Sequence, residues 1–165
     1  MKHFTRILIV ALAGATLLAA AEPPVSKAAG AFAKLKSLAG EWEGKTQDGK
    51  PARMSWEAVS EGTRIMQVDR TEHNMVTMYY LDRDRLMMTH YCAANNQPRM
   101  RAEPSADLKS LAFSFVDATN LAGPGDGHMH RMVLTFQDKD RVTEEWTWNK
   151  GSEEHVEKFT FQRKK

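Results

Sequence analysis

The sequence contains a single cysteine, Cys92, so no disulfide can form within the chain. The stability of the folded protein must therefore come from hydrogen bonding and packing. We interpret Cys92 as a small buried apolar residue, with a free thiol or a metal ligand as the alternatives.

The chain also lacks an excess of either charge once its N-terminal segment is set aside. That segment, residues 1–21, contains Lys2 and Arg6 and no acidic residue, so the other 144 residues carry 21 basic and 21 acidic side chains. A nucleic-acid-binding protein needs a basic surface. We therefore expect no nucleic-acid partner.

Catalytic motifs are missing as well. The sequence has no Gly-x-Ser-x-Gly, no phosphate-binding loop and no His-Glu-x-x-His. It therefore assigns no catalytic residue and no cofactor, and it favours a binding protein over an enzyme.

No apolar run reaches the roughly 20 residues that a membrane-spanning helix needs. The run at residues 7–18 follows Lys2 and Arg6 and precedes three alanines at 19–21. This order is typical of a cleavable signal peptide. Since no twin-arginine pair and no cysteine near the cleavage site accompany it, we expect a periplasmic or extracellular protein without a membrane anchor.

The remaining chain divides into a short lead-in and one domain. Residues 22–34 form a flexible lead-in and the start of a short helix, and residues 35–165 form the domain. The helix is predicted at 28–38, because Phe32, Leu35 and Leu38 recur at helical spacing before Gly40.

From Gly40 onward the apolar residues alternate with period two, and turn residues interrupt them at short intervals. The predicted strands are 41–46, 52–59, 63–70, 75–82, 85–92, 97–103, 110–117, 128–136, 141–149 and 155–163. Only the connection at 118–127 is long. The sequence thus predicts an all-β fold, a single antiparallel up-and-down β-barrel of about ten strands with a short N-terminal helix.

Alternation also predicts which side chains face the interior of the barrel. The inward residues are expected to be Met54, Trp56, Ala58, Leu111, Phe113, Phe115, Met132, Leu134, Phe136, Phe159 and Phe161. Many methionines fall on the strands. Flexible thioethers suit either an irregular packed core, which we favour, or an adaptable ligand pocket.

Residues 38–44, Leu-Ala-Gly-Glu-Trp-Glu-Gly, resemble the start of a calycin barrel, the group that includes lipocalins and fatty-acid-binding proteins. In that group a short helix leads into a first strand with Gly-x-Trp, matched here by Gly40 and Trp42. The resemblance implies that Trp42 closes the barrel floor under an arginine from the end of the chain, for which Arg163 is the candidate.

Most of residues 35–163 resemble a group of small exported bacterial barrels of uncharacterised function. The matching stretches are 89–92, 96–100, 127–130 and 143–147. A more distant resemblance is to the nitrobindin-like haem barrels, which share the Gly-x-Trp-x-Gly opening and the ten strands, whereas the rest of their signature is not found here. These resemblances imply the fold and no particular activity.

Five histidines are expected at one rim of the barrel, where odd-numbered strands end and even-numbered strands begin. They are His73, His90, His128, His130 and His155. The long 118–127 connection falls at the same rim, as a lid would.

His90, His128 and His130 are candidate ligands for zinc, copper or haem, with Cys92 on the same strand face as His90. The alternative, which we favour, is a hydrogen-bonded rim or the polar lining of a pocket. If no bulge intervenes, His128 and His130 share the inward face of Met132.

Glu144 shares a strand face with Trp146 and Trp148. A buried glutamate there would have a raised pKa and act as an acid, but we favour a solvated or arginine-paired side chain.

The sequence predicts a barrel that binds a small, largely apolar molecule in its interior, entering past 118–127. The expected contacts are Tyr79, His90, Tyr91, His128, His130 and Trp146. A metal- or haem-binding barrel and a solidly packed envelope interaction module are the alternatives.

Overall fold

The computed structural model describes residues 26–123 and 125–165. The predicted signal peptide and residues 22–25 of the lead-in lie outside them. Helix α1, Lys27–Lys36, begins where the Ser26 hydroxyl accepts a hydrogen bond from the backbone N–H of Ala29. Its apolar face, which includes Phe32 and Leu35, is buried. Within these two ranges, no helix is long and apolar enough to cross a membrane.

Ten strands follow the helix. They are β1 Gly40–Thr46, β2 Pro51–Val59, β3 Arg64–Asp69, β4 Val76–Asp82, β5 Arg85–Tyr91, β6 Gln97–Pro104, β7 Ser110–Thr119, β8 His128–Phe136, β9 Arg141–Lys150 and β10 Glu153–Arg163. Each strand pairs antiparallel with the next one in the chain, and β10 pairs with β1 to close the barrel. The predicted fold class is confirmed, and every strand boundary lies within two residues of its predicted position.

The interior is packed by the alternating apolar residues that the sequence singled out. Trp56, Phe113, Met132 and Phe161 are all buried. Ala58 and Phe115 are the exceptions, because Ala58 is exposed and Phe115 is only half-buried. Ala58 lies two residues before the turn that ends β2, where the barrel wall stops and nothing covers it.

The floor of the barrel contains the contact that the calycin resemblance implies. The Trp42 ring is buried, and its Nε1–H donates to the carbonyl of Leu38 at 2.8 Å. The Arg163 guanidinium lies 4.4 Å from the ring centroid and donates to the carbonyls of Ala39 and Ser37. One arginine thus joins the last strand to the turn between α1 and β1.

Gly44 lies where β1 and β10 approach too closely for a side chain. A Cβ built at this position would overlap the carbonyl oxygen of Thr160 and lie 2.9 Å from Cα of Phe161. Both of these atoms belong to the backbone of β10, so neither can rotate away.

We expect Gly44→Ala to lower the free energy of unfolding by about 2–4 kcal/mol, because the two strands must separate locally. Gly123→Ala is the matched control, since a Cβ there meets no atom within 4 Å. Urea unfolding of both variants measures the difference. Equal stability of the two variants would show that the strands tolerate the methyl group.

Candidate functional site

The ten-strand closure places the five histidines at one end of the barrel, as predicted from strand direction. His90 is near the end of β5, His128 and His130 open β8, His155 is near the start of β10, and His73 lies between β3 and β4. They differ in depth, since His90 is buried inside the barrel while His73 and His155 are exposed. Only His90 reaches the interior cavity described below.

His90 is buried with one ring nitrogen unpaired. Its side chain is 2% exposed, and its Nδ1 lies 2.9 Å from the hydroxyl oxygen of Thr77 on the neighbouring strand. Its Nε2 has no hydrogen-bond partner. Burial lowers the pKa of His90 to about 4, so the ring is neutral at physiological pH.

Glu144 of β9 forms a hydrogen-bonded chain across the barrel. Its Oε1 accepts from Gln67 Nε2 at 2.6 Å, and its Oε2 accepts from Trp146 Nε1 at 3.0 Å. Gln67 in turn accepts from the Tyr79 hydroxyl at 2.7 Å. The expectation of a solvated or arginine-paired Glu144 is wrong, because the side chain is only 3% exposed and Gln67 and Trp146 are its partners.

The environment of Glu144 changes its acidity. Burial raises the pKa of Glu144 to about 7, and the charge of Asp69 adds to the increase. The hydrogen bonds from Trp146 and Gln67 oppose the increase because they favour the carboxylate. Near neutral pH this carboxyl group is therefore only partly ionised, as a general acid or a ligand-responsive group would be.

A small cavity connects His90 with Glu144. Its volume is about 40 Å³. It is lined by Gln67, Asp69, Met75, Thr77, His90, Met129, Glu144, Trp146, Glu157 and Phe159. About 10–15 Å³ is enough for one water molecule, whereas ligand pockets reach about 300 Å³ or more. As it stands, the cavity therefore admits only a few heavy atoms.

A β-bulge determines which β8 residues face the cavity. The register between β8 and β9 shifts between Met129 and Arg131, so Met129 lies opposite Trp148 and Met132 opposite Trp146. The prediction that His128 and His130 share the inward face assumed no bulge. Met129 lines the cavity, and neither histidine does.

His128 and His130 interact with each other and with Phe115 instead. His128 Nδ1–H donates to the backbone carbonyl of Asp126 at 2.9 Å. Because a neutral imidazole carries a proton on only one nitrogen, the Nε2 of a neutral His128 then accepts a hydrogen bond from His130 Nδ1 at 3.2 Å. Both rings pack on Phe115, with centroids 4.5 and 5.3 Å away. In this arrangement only His130 Nε2 remains free to bind a further group.

The other predicted contacts lie apart from the cavity. Tyr79 is fully buried behind Gln67 and stacks on Trp56, while Tyr91 is 50% exposed on the outer surface. Cys92 is half-buried, and burial raises the pKa of its thiol. None of the described residues of the 118–127 connection lines the cavity.

Metal binding by His90, His128 and His130 was the alternative hypothesis. In the part of the chain that the structure covers, no three His, Cys, Asp or Glu side chains are grouped so that they could hold a metal ion. His90 and the His128–His130 pair make separate contacts, with Thr77 and with Phe115 respectively.

A wider concavity, of about 740 Å³, lies elsewhere, on the outer surface along β1, β2 and the C-terminal residues. It is an open groove bordered by exposed charged side chains such as Lys45 and Arg53. Unlike the small cavity, it contains no buried polar group without a partner. We therefore place the candidate site inside the barrel.

Comparison with known proteins adds no assignment. No protein-family model matches the chain, and no curated protein matches its sequence.

Proposed function

We propose that this protein is a calycin-like barrel that binds a small molecule in the cavity between His90 and Glu144, outside the cytoplasm. The observation that carries the proposal is the unpaired Nε2 of His90, which is buried while its ring lines the cavity. A buried polar atom without a partner costs about 1–3 kcal/mol. A ligand that hydrogen-bonds to this nitrogen would recover that free energy.

The cavity walls support a ligand with an apolar body and one polar end. Met75, Met129, Trp146 and Phe159 provide the apolar part of the lining, and His90 and Glu144 provide the polar part. Met75 and Met129 are only half-buried. Because methionine side chains change rotamer at low cost, they can move aside for a molecule larger than the closed cavity.

The Trp42–Arg163 contact and the helix before β1 support the calycin-like part of the proposal. The apolar run and small residues of 1–21 support export.

Isobutanol, isobutylamine and isobutyrate test the binding proposal, since they share a branched apolar body and differ in the polar end. We expect at least one of them to shift the Trp146 Nε1–H resonance saturably in an NMR titration, because this group lies in the cavity wall. The resonance is assigned by its loss in Trp146→Phe.

Met129→Trp should abolish the shift by filling the cavity. Met66→Trp is the matched control, because Met66 lies beside inward-facing Ile65 and Gln67 and so on the opposite face of β3. If none of the three molecules gives a saturable shift, the cavity is not a binding site and the proposal fails.

A further inference from the structure

The charged side chains of the cavity are all acidic. Asp69, Glu144 and Glu157 line it, and no lysine or arginine does. Across residues 26–123 and 125–165, none of the three carboxyl groups forms an ion pair with a basic side chain. The cavity is therefore lined by acidic groups, with no basic side chain paired to them.

These carboxyl groups also act on one another. After burial, the charge of Asp69 is the second cause that raises the pKa of Glu144. Burial raises the pKa of Glu157, and the charges of Glu72, Asp69 and Asp48 raise it further, while His155 opposes the increase. A cation among them would replace this repulsion with attraction, most strongly beside the buried Glu144.

We propose that the ligand of this cavity is a small organic cation, a protonated primary alkylamine whose ammonium group contacts Glu144 and His90. This inference rests on the proposed binding function and names its ligand class. Each oxygen of Glu144 makes one hydrogen bond and keeps a second acceptor position. His90 Nε2 accepts when Nδ1–H donates to Thr77. The ammonium donors thus have acceptors on both sides of the cavity.

The rest of the lining fits the carbon body of such a molecule. Trp146 and Phe159 bring aromatic rings to the cavity wall, and the faces of such rings attract cations as well as alkyl groups. A bare metal ion fits less well, because the described side chains include no group of three ligating residues and because four of the ten lining residues are methionine, tryptophan or phenylalanine.

The same three probe molecules separate this inference from the proposed function. We expect isobutylamine to bind at least about tenfold more tightly than isobutanol at ~0.15 M salt, and isobutyrate to bind most weakly. Isobutanol binding as tightly as isobutylamine, or isobutyrate binding more tightly, would overturn the inference and leave the binding function standing. No saturable binding by any of them would overturn both.

Glu144→Gln should weaken isobutylamine binding by at least about tenfold and change isobutanol binding little. The variant can retain the hydrogen-bonded chain, because Gln67 can turn its amide and donate to the Tyr79 hydroxyl. Glu145→Gln is the matched control, since it removes the same charge from the opposite face of β9.

Asp69→Asn combined with Glu157→Gln is a second variant in case Glu144→Gln does not fold. Both residues are only half-buried, and asparagine keeps an oxygen for the backbone N–H of Thr71. The double variant should also reduce the preference for amine over alcohol. An unchanged preference in both variants would show that the carboxyl groups do not recognise the ligand.

Discussion

Replacing Trp42 with alanine is expected to lower the free energy of unfolding by about 3–5 kcal/mol, the usual loss for a fully buried aromatic side chain. The ring is 1% exposed, and its Nε1–H donates a hydrogen bond to the carbonyl of Leu38. Removing the ring would leave a void at the barrel floor between β1 and the helix. Urea unfolding followed by far-ultraviolet circular dichroism measures the change.

Arg163→Ala should have a smaller effect, about 1–3 kcal/mol, because the guanidinium is partly exposed although it donates to several backbone carbonyls. The double variant should lose about 1 kcal/mol less than the sum of the single losses, since the cation and the ring contact each other.

Arg141→Ala provides the control for this cycle. Arg141 is an exposed arginine paired with Asp138, so its replacement should add to that of Trp42 without coupling. If the losses at Trp42 and Arg163 were also additive, the floor contact would contribute nothing of its own to stability.

The fold could be predicted from the sequence because its signals are local. Along β8, Met132, Leu134 and Phe136 alternate with more exposed residues, and the residues between β8 and β9 form a short polar turn. Ten such segments with short connections leave little alternative to a meander that closes on itself. The position of the histidines at one end then follows from strand direction alone.

The geometry of the site could not be predicted in the same way. The bulge in β8 inserts one residue into the pairing with β9, and no residue type in 128–131 signals it. It brings Met129 to the cavity in place of the two histidines. A one-residue change in register is enough to exchange the inward and outward faces of a strand.

For Glu144, the sequence predicted the position of the side chain but not its main hydrogen-bond partner. Alternation correctly placed it beside Trp146, on the inward face. Its hydrogen bond to Gln67, however, joins residues 77 positions apart on strands that are not neighbours. The sequence did contain a signal for this site, because two polar residues occupy inward positions of their strands. They are Gln67, between Ile65 and Asp69 on β3, and Thr77 on β4. Such residues are the ones to examine when a barrel is read from sequence.

Glu144 and His90 are expected to have opposite effects on the pH dependence of stability. Glu144 has a pKa of about 7 in the folded protein against 4.5 as the unperturbed value. Between those values the folded state holds a proton that the unfolded chain has released, so its contribution to stability falls as pH rises from about 4.5 to 7. The total change is about 3 kcal/mol.

The contribution of His90 has the other sign. Its pKa is about 4 in the folded protein against 6.5 as the unperturbed value. Below pH 6.5 this histidine is protonated in the unfolded chain, whereas the buried ring of the folded protein stays neutral. Stability is therefore lost as pH falls from about 6.5 to 4, again by about 3 kcal/mol. Because the two windows overlap, the wild-type protein should show little net change from this pair of residues.

Single variants should reveal the two contributions separately. As pH rises from 4.5 to 7, the stability of Glu144→Gln relative to wild type should increase by about 3 kcal/mol. As pH rises from 4 to 6.5, the stability of His90→Asn relative to wild type should decrease by a similar amount. Asparagine keeps a polar atom near the position of Nδ1 for Thr77, and any loss from its smaller size is the same at every pH. Urea unfolding at half-unit pH intervals measures both.

The variant that combines Glu144→Gln with His90→Asn is the decisive control. With both titrating groups removed, its stability should differ from that of wild type by a nearly constant amount between pH 4.5 and 6.5, because the opposing contributions disappear together. Parallel profiles of wild type and of both single variants would mean that the two groups titrate in the folded protein as they do in the unfolded chain. The cavity would then be open to water, and the burial that defines the binding site would be absent.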